Sequence, residues 1–443
     1  MRALPFSILF AAAVAASPAF AAPVLMISID GLRPLDVVDA PQRGLKVPAL
    51  RAFMEDGAWA QGVRNVLPTV TYPDHTTLIT GVWPNVHGIS NNVMFDPLEK
   101  NMDGWYWYAS DIKVPTLWDA VHANHQIVAS IDWPVSVGTQ SIDYDIPEYW
   151  RALNINDVKL LHALSTPGLP ETLSKQVGMP LSSMFAETPA SDVARAKFAA
   201  ALIATEHPEF MTLHLVSLDA TQHEDGPDTP QAHATLETID GAVGDLVAAA
   251  RKVEPDLVVA IVSDHGFAAV QHDVNLSTAF VKAGFITLDP KTQKPVAWTA
   301  SVWDAGGSAA IVLKDPNDKP LHDKVAALLK KLAASPPNGI AQVIDKPDID
   351  AAGGGVEASF WVDFKLGYEG GTKLVSPLVT AGSLKGMHGY FPTHPEMRAT
   401  FMIDGPGIPK ADALGEIDMR DIAPTLAKIL GVALPTATGK PLW

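Results

Sequence analysis

Short apolar runs in this chain end in residue types that bind divalent cations. Val24 to Ile29 runs into Asp30, Phe210 to Leu218 into Asp219 with His223 four residues on, and Leu257 to Ser263 into Asp264-His265. The chain has no cysteine, so a metal site must be built from His, Asp, Glu and hydroxyls, a donor set suited to zinc, manganese or magnesium. Taken singly, each ending has a plainer explanation. A terminal Asp caps a helix or closes an Asx-turn, and a lone His is more often a hydrogen-bonded structural residue than a ligand. Three such endings on three predicted strands favour one shared site, because the carboxyl ends of an open α/β sheet converge on its ligand crevice.

A second candidate lies in Leu67-Pro-Thr-Val-Thr71-Tyr-Pro-Asp-His75-Thr-Thr-Leu-Ile-Thr-Gly81. Pro73 suits a first helical turn and Leu78 and Ile79 supply an apolar side, which places Thr71 just before the helix. Thr71 is then either an ordinary N-cap or a nucleophile. Helix amides and the helix dipole stabilise both an alkoxide and a phosphate oxygen at such a position. A threonine hydroxyl is a poor nucleophile unless a base or a divalent metal lowers its pKa, which ties Thr71 to the Asp and His set.

Positioning these residues requires strands with helices between them. The β-branched runs Val24 to Ile29, Ile127 to Ile131, Phe210 to Leu218, Leu257 to Val262 and Thr400 to Ile403 predict buried strands. Ser191 to Glu206 and Thr229 to Lys252 predict helices, the latter with Leu236, Ile239, Val243 and Leu246 on one face. This alternation predicts an α/β fold: a mainly parallel central sheet with helices on both faces. Two segments break the rhythm. Residues 91–115, rich in Trp and Tyr, predict an ordered loop over the site, and residues 289–385 predict a small α+β cap insertion. Trp105-Tyr-Trp-Tyr108 and Trp133-Pro134 either wall a pocket for a planar group or pack the loop onto the sheet.

The net charge of −17, with no Lys/Arg cluster, argues against a stable nucleic-acid partner. It leaves small anionic substrates open, because bound divalent ions dominate the local field. Residues 1–22 predict a signal peptide: Arg2, an apolar run to Ala16, then Ala19-Phe20-Ala21. The expected mature chain, 23–443, is periplasmic or secreted and has no membrane span.

Ser28-Ile-Asp30-Gly-Leu-Arg33, Thr71-Tyr-Pro-Asp-His75, Thr80-Gly81, His87-Gly-Ile-Ser-Asn-Asn92, Asp219-x-x-x-His223, Ser263-Asp264-His265-Gly266 and Met387-His388-Gly-Tyr390 occur in this order. With this set the chain resembles the alkaline phosphatase superfamily, within it the nucleotide pyrophosphatase/phosphodiesterase branch, from Pro23 to the C-terminus. The resemblance implies an alkaline-phosphatase-like fold with two divalent metals, expected to be zinc. One would be held by Asp30, Thr71, Asp264 and His265, the other by Asp219, His223 and His388. It implies Thr71 as nucleophile, Asn92 as donor to a phosphoryl oxygen, and Tyr72 as part of the substrate wall. Asp74, Leu218 and Gln222 depart from residues usual in that branch, and none of them is an implied ligand.

The function so implied is hydrolysis of a small-molecule phosphodiester or pyrophosphate, nucleotide-type, through a phosphothreonine. Alternatives are a phosphomonoesterase or phosphonate hydrolase of the same superfamily and a non-catalytic periplasmic zinc-binding protein. The last gives no role to Thr71 or Asn92. A diester preference is expected because residues 91–160 carry few cations, Lys113 and Arg151 chief among them, and much aromatic surface. Oligomeric state is not legible.

Overall fold

The computed structural model of the chain describes residues 21–101, 104–151 and 154–443. The predicted signal peptide, apart from Ala21 and Ala22, lies outside the described residues. Among them no helix is long and apolar enough to cross a membrane.

The sheet grows outward from Val24–Ile29, whose six residues are all buried. This strand pairs in parallel with Phe210–Leu215 on one side and Val258–Val262 on the other, Val24 standing opposite both Phe210 and Val258. Val128–Ile131 and Tyr144–Ile146 extend the parallel set beyond Phe210–Leu215. Phe401–Asp404 joins antiparallel to Val258–Val262, and two short strands, Ala58–Trp59 and Asp412–Ala413, complete eight. Alternation along the central strand divides the core. Leu25, Ile27 and Ile29 face helices Pro189–Glu206 and Pro230–Val253, while Val24 and Met26 face helices Thr71–Thr80, Leu117–Ala123 and Ile422–Leu430. Both faces are covered, so the chain is α/β with a mainly parallel sheet.

The third predicted strand is shorter than its apolar run. It stops at Leu215, and helix Ser217–Asp225 begins two residues on. The cause lies in another element: the buried Asp192 carboxylate accepts the amides of Val216 and Ser217 at 3.1 and 2.9 Å, satisfying donors that a helix start leaves open. Leu218 is buried from this helix rather than from a strand.

Between Val262 and Phe401 the chain adds further sheets. Ala300–Asp304, Ser308–Leu313, Phe360–Phe364 and Ile340–Asp345 form a four-stranded antiparallel sheet, with helix Lys319–Ala333 sharing its core. Ala268–Val274 pairs with Gly367–Gly370, Val379–Ala381 and Gly386–Met387. That last pairing carries the chain back to the C-terminal edge of the central sheet.

Candidate functional site

Parallel pairing sets Ser28 opposite Val262, so the residues just beyond each strand leave the sheet side by side. Asp30, Asp264 and His265 thereby place one ligand atom each within 4.8 Å of one another. His265 Nε2 lies 3.3 Å from Asp30 Oδ1 and 3.1 Å from Asp264 Oδ2. Thr71 Oγ1 is 3.4 Å from the same nitrogen.

Asp219, His223 and His388 form a second such group. Asp219 and His223 stand one turn apart on helix Ser217–Asp225, Oδ2 to Nε2 3.3 Å, because residues i and i+4 share a helix face. The pairing of Gly386–Met387 with Ala268–Ala269 delivers His388, with Nε2 3.7 Å from Asp219 Oδ1. The His265 and His388 rings stack at 3.6 Å and 7°, so the two groups share a wall.

The second contacts of these histidines leave Nε2 available. Nδ1 of His223, His388 and His265 meets the carbonyls of Gly386, Thr69 and Gly266 at 2.9, 3.1 and 3.2 Å. A proton on each Nδ1 satisfies the carbonyl and leaves the Nε2 lone pair free. Burial, with His223 nearby, pushes His388 down to about 3 and keeps it neutral. Burial has the opposite effect on the carboxyls. It raises Asp219 and Asp264 to about 7 and, with Asp264 and Asp219 close by, holds Asp30 well above the usual range. Asp30 Oδ1, Asp219 Oδ1 and Asp264 Oδ2 are buried without a hydrogen-bond partner. Crowded carboxylates, orphaned oxygens and neutral imidazoles in two adjoining groups fit a pair of divalent cations.

Thr71 is the first residue of helix Thr71–Thr80, one position later than the expected N-cap; Val70 takes the cap position and has no side-chain oxygen. The missing cap comes from Asn92, whose Oδ1 accepts the Tyr72 amide at 2.9 Å. This bond fixes the amide orientation and leaves Asn92 Nδ2 as a donor beside Thr71. Asn92 is itself held, its amide on Asn91 Oδ1 at 2.7 Å and Asn91 Nδ2 on the Asp304 carbonyl at 2.8 Å.

Thr71, Asn92 and the second group open on one cavity of about 590 Å³. Trp105 and Trp150 line it, their rings 4.6 Å apart. Tyr72 borders it but is fully buried, its ring edge-on to Trp105 and its hydroxyl donating to Glu148 Oε1 at 2.7 Å. It therefore backs the wall. Trp133 sits in the core against His75, away from the cavity, and Trp107 is buried behind Trp105. Neither Lys113 nor Arg151 lines the cavity.

Sequence reasoning missed His214 and Glu148. His214 Nε2 is 3.1 Å from Asp30 Oδ2, and its Nδ1 is 3.3 Å from Glu148 Oε2. Nδ1 also meets the Asp132 carbonyl at 3.2 Å; burial opposes charge on this ring, but the Asp30 and Glu148 carboxylates beside it hold its pKa well above the usual value. It braces one Asp30 oxygen and leaves the other to the site. The available signal was a histidine inside an apolar strand buried on both faces, where an imidazole needs polar partners.

The family model described as type I phosphodiesterase / nucleotide pyrophosphatase matches residues 24–390. Ectonucleotide pyrophosphatase/phosphodiesterase family member 1 of Rattus norvegicus is 27% identical over 256 residues, 55% of this chain and 24% of that protein. This chain thus spans about a quarter of the length of the first curated relatives it matches. An uncharacterized pyrophosphatase/phosphodiesterase of Schizosaccharomyces pombe is 24% identical over 407 residues, 87% of this chain and 72% of that one. Among solved structures, an inactive murine ectonucleotide pyrophosphatase/phosphodiesterase 5 in complex with AMP superposes with a TM-score of 0.66 at 18% identity. The match covers 95% of this chain and 97% of that one.

Proposed function

Because the chain belongs to the type I phosphodiesterase/nucleotide pyrophosphatase family, we propose that it is an exported, two-metal hydrolase of phosphodiesters and pyrophosphates, nucleotide-type among them. The observation that carries this reading is the placement of Thr71 Oγ1 at a helix N-terminus, 3.4 Å from His265 Nε2 and beside Asn92 in the cavity wall.

In this reading Asp30, Thr71, Asp264 and His265 would hold one ion and Asp219, His223 and His388 the other, and zinc would suit both donor sets. Two such ions supply charge for the attacking and leaving oxygens of an in-line displacement and lower the pKa of a hydroxyl held against them. Thr71 Oγ1 loses its proton to solvent and attacks phosphorus. The new P–O bond forms as the ester oxygen departs on the opposite side, leaving a phosphothreonine. The departing oxygen takes a proton from solvent; water then attacks phosphorus and gives a proton to solvent as the P–Oγ1 bond breaks, and Thr71 Oγ1 takes a proton back. Asn92 Nδ2 and the Thr71 amide donate to the non-bridging oxygens, since the Tyr72 amide is held by Asn92 Oδ1, Pro73 has no N–H and the Asp74 amide is bonded to the Val70 carbonyl. His214 keeps Asp30 oriented, and Trp105 and Trp150 offer flat surface to a planar substituent.

Residues 23–443 act as one catalytic unit, with 289–385 as a cap beside the cavity; Asp304 of that segment anchors the loop that carries Asn92. A phosphomonoesterase needs donors or cations for its extra anionic oxygen, and no Lys or Arg lines the cavity among the described residues. The test is a panel of p-nitrophenyl diesters, monoesters, sulfates and phosphonates with zinc-loaded protein. The diester is expected to have the highest kcat/KM. A monoester preference refutes the diesterase assignment, and inactivity across the panel with both ions bound refutes the hydrolase assignment.

A further inference from the structure

The walls of the cavity carry charge that the hydrolytic step does not use. Besides the two Asp/His groups, its lining includes Glu148, Glu187 and Glu224. Glu148 is engaged by the Tyr72 hydroxyl and by His214. Glu187 and Glu224 are not. Both are exposed, Glu187 on the turn before helix Pro189–Glu206 and Glu224 next to His223, and no ion pair or side-chain hydrogen bond engages either among the described residues. The cations nearby are committed elsewhere. Arg195, buried behind Glu187 and Trp150, pairs with Asp132 and Asp192, and Lys385, next to Leu384 in sequence, faces a separate groove with Asp228. In the hydrolase reading the cavity thus has two carboxylates without an ion pair and two tryptophans on its wall; its lining has no Lys or Arg, and His214, held toward the charged form, is engaged by Asp30 and Glu148.

We propose that Glu187 and Glu224 make this site select its ester by the charge of the group that does not react. Uncharged or cationic substituents are taken and polyphosphate or carboxylate-bearing ones are turned away. The inference rests on the hydrolase reading above and narrows it from phosphodiesters and pyrophosphates to diesters. A pyrophosphate substrate such as a nucleoside triphosphate brings anionic phosphates beyond the one attacked, and the first of them, bonded to it, lies beside it in this cavity. There it meets like charge on Glu187 and Glu224, with no Lys or Arg to offset it, inside a concave wall that focuses the field. An ammonium group gains from the same carboxylates and from the faces of Trp105 and Trp150. Because both carboxylates are exposed, salt must weaken the selection.

The test uses the full zinc-loaded protein at pH 8, where glutamates are ionised. Its substrates are p-nitrophenyl diesters whose second group is n-butyl, 2-trimethylammonioethyl or 2-carboxyethyl, with ATP alongside. At low salt the expected order of kcat/KM is ammonium at or above butyl, and butyl on the order of tenfold above carboxylate. The spread should shrink as ionic strength rises past about 0.5 M. Glu187→Gln with Glu224→Gln should raise the carboxylate-to-butyl ratio several-fold, and Glu187→Lys should raise it further, butyl turnover reporting in each case that the variant is folded. The affinities of the three esters for Thr71→Ala should follow the same order without turnover. The proposal is overturned if wild type handles the carboxylate ester or ATP as well as the butyl ester, or if the ratio ignores both charge changes. If no ester is hydrolysed while the affinities keep the order, the hydrolase reading fails and the charge selection stands.

Discussion

Replacing Asn92 separates an observed role from a proposed one, which fall on opposite ends of one side-chain amide. Its Oδ1 accepts the Tyr72 amide at 2.9 Å and so caps a helix whose own cap residue, Val70, has no side-chain acceptor. Asn92 lines the cavity, and its Nδ2 is the proposed donor to phosphoryl oxygen. Asn92→Ala removes both. Loss of a helix cap costs about 1 kcal/mol of stability, and loss of one oxyanion donor lowers kcat by roughly 10²–10³. Asn92→Asp divides them. Its carboxylate can still accept the Tyr72 amide and suits the positive end of the helix dipole, so stability should equal or exceed wild type by some tenths of a kcal/mol. Yet it sets an anionic oxygen against an anionic substrate, and kcat should fall at least as far as in Asn92→Ala. The assay pairs steady-state hydrolysis of a chromogenic diester with urea unfolding of each metal-loaded variant. Asn92→Asp retaining activity within about tenfold of wild type would falsify the donor role, since the amide oxygen alone cannot supply it. Asn92→Ala unfolding at the wild-type midpoint would refute the capping role.

Exhaustive chelation should abolish hydrolysis and added zinc restore it; full turnover with verified absence of metal would remove the two-ion reading, whereas better recovery with manganese only changes the resident ion. Thr71→Ala should keep its metal and lose several orders of magnitude in rate, whereas His388→Ala should lose metal content too, and near-wild-type turnover by Thr71→Ala would strip it of the nucleophile role. Burial and the neighbouring Asp273 raise the Glu369 carboxyl to about 7, so its contribution to stability is full below its unfolded pKa and is lost as pH climbs through 7. Glu369→Gln should therefore gain on wild type in melting temperature between pH 5 and pH 8, and a difference that stays flat over that range argues against a titrating Glu369.

What the sequence determined was whatever depends on near neighbours. Val24–Ile29 forms with the expected bounds because an unbroken apolar, β-branched run has one good use, a strand buried on both faces. Asp30, Asp264 and His265 could be named because they directly follow such runs, and Asp219 with His223 because a four-residue spacing is also one helical turn. The family itself was legible because its marks are short and come in a set order. Tertiary structure decided whatever depends on distant partners. Asp192 ends the strand at Leu215 by capping the next helix, although Val216-Ser-Leu218 reads as more of the same run. The pairing of Gly386–Met387 with Ala268–Ala269 brings His388 across more than a hundred residues to stack on His265. His214 meets Asp30 and Glu148 only once the four parallel strands from Val24–Ile29 to Tyr144–Ile146 lie side by side. Trp133 goes to the core and Trp105 to the cavity, and of two neighbours in one Trp-Tyr-Trp-Tyr run Trp105 lines the cavity while Trp107 is buried behind it. Local pattern sets the element a residue joins, because backbone geometry repeats over a few residues. The group it faces is set by packing between elements far apart in the chain, and the chemistry of this site depends on those facing groups.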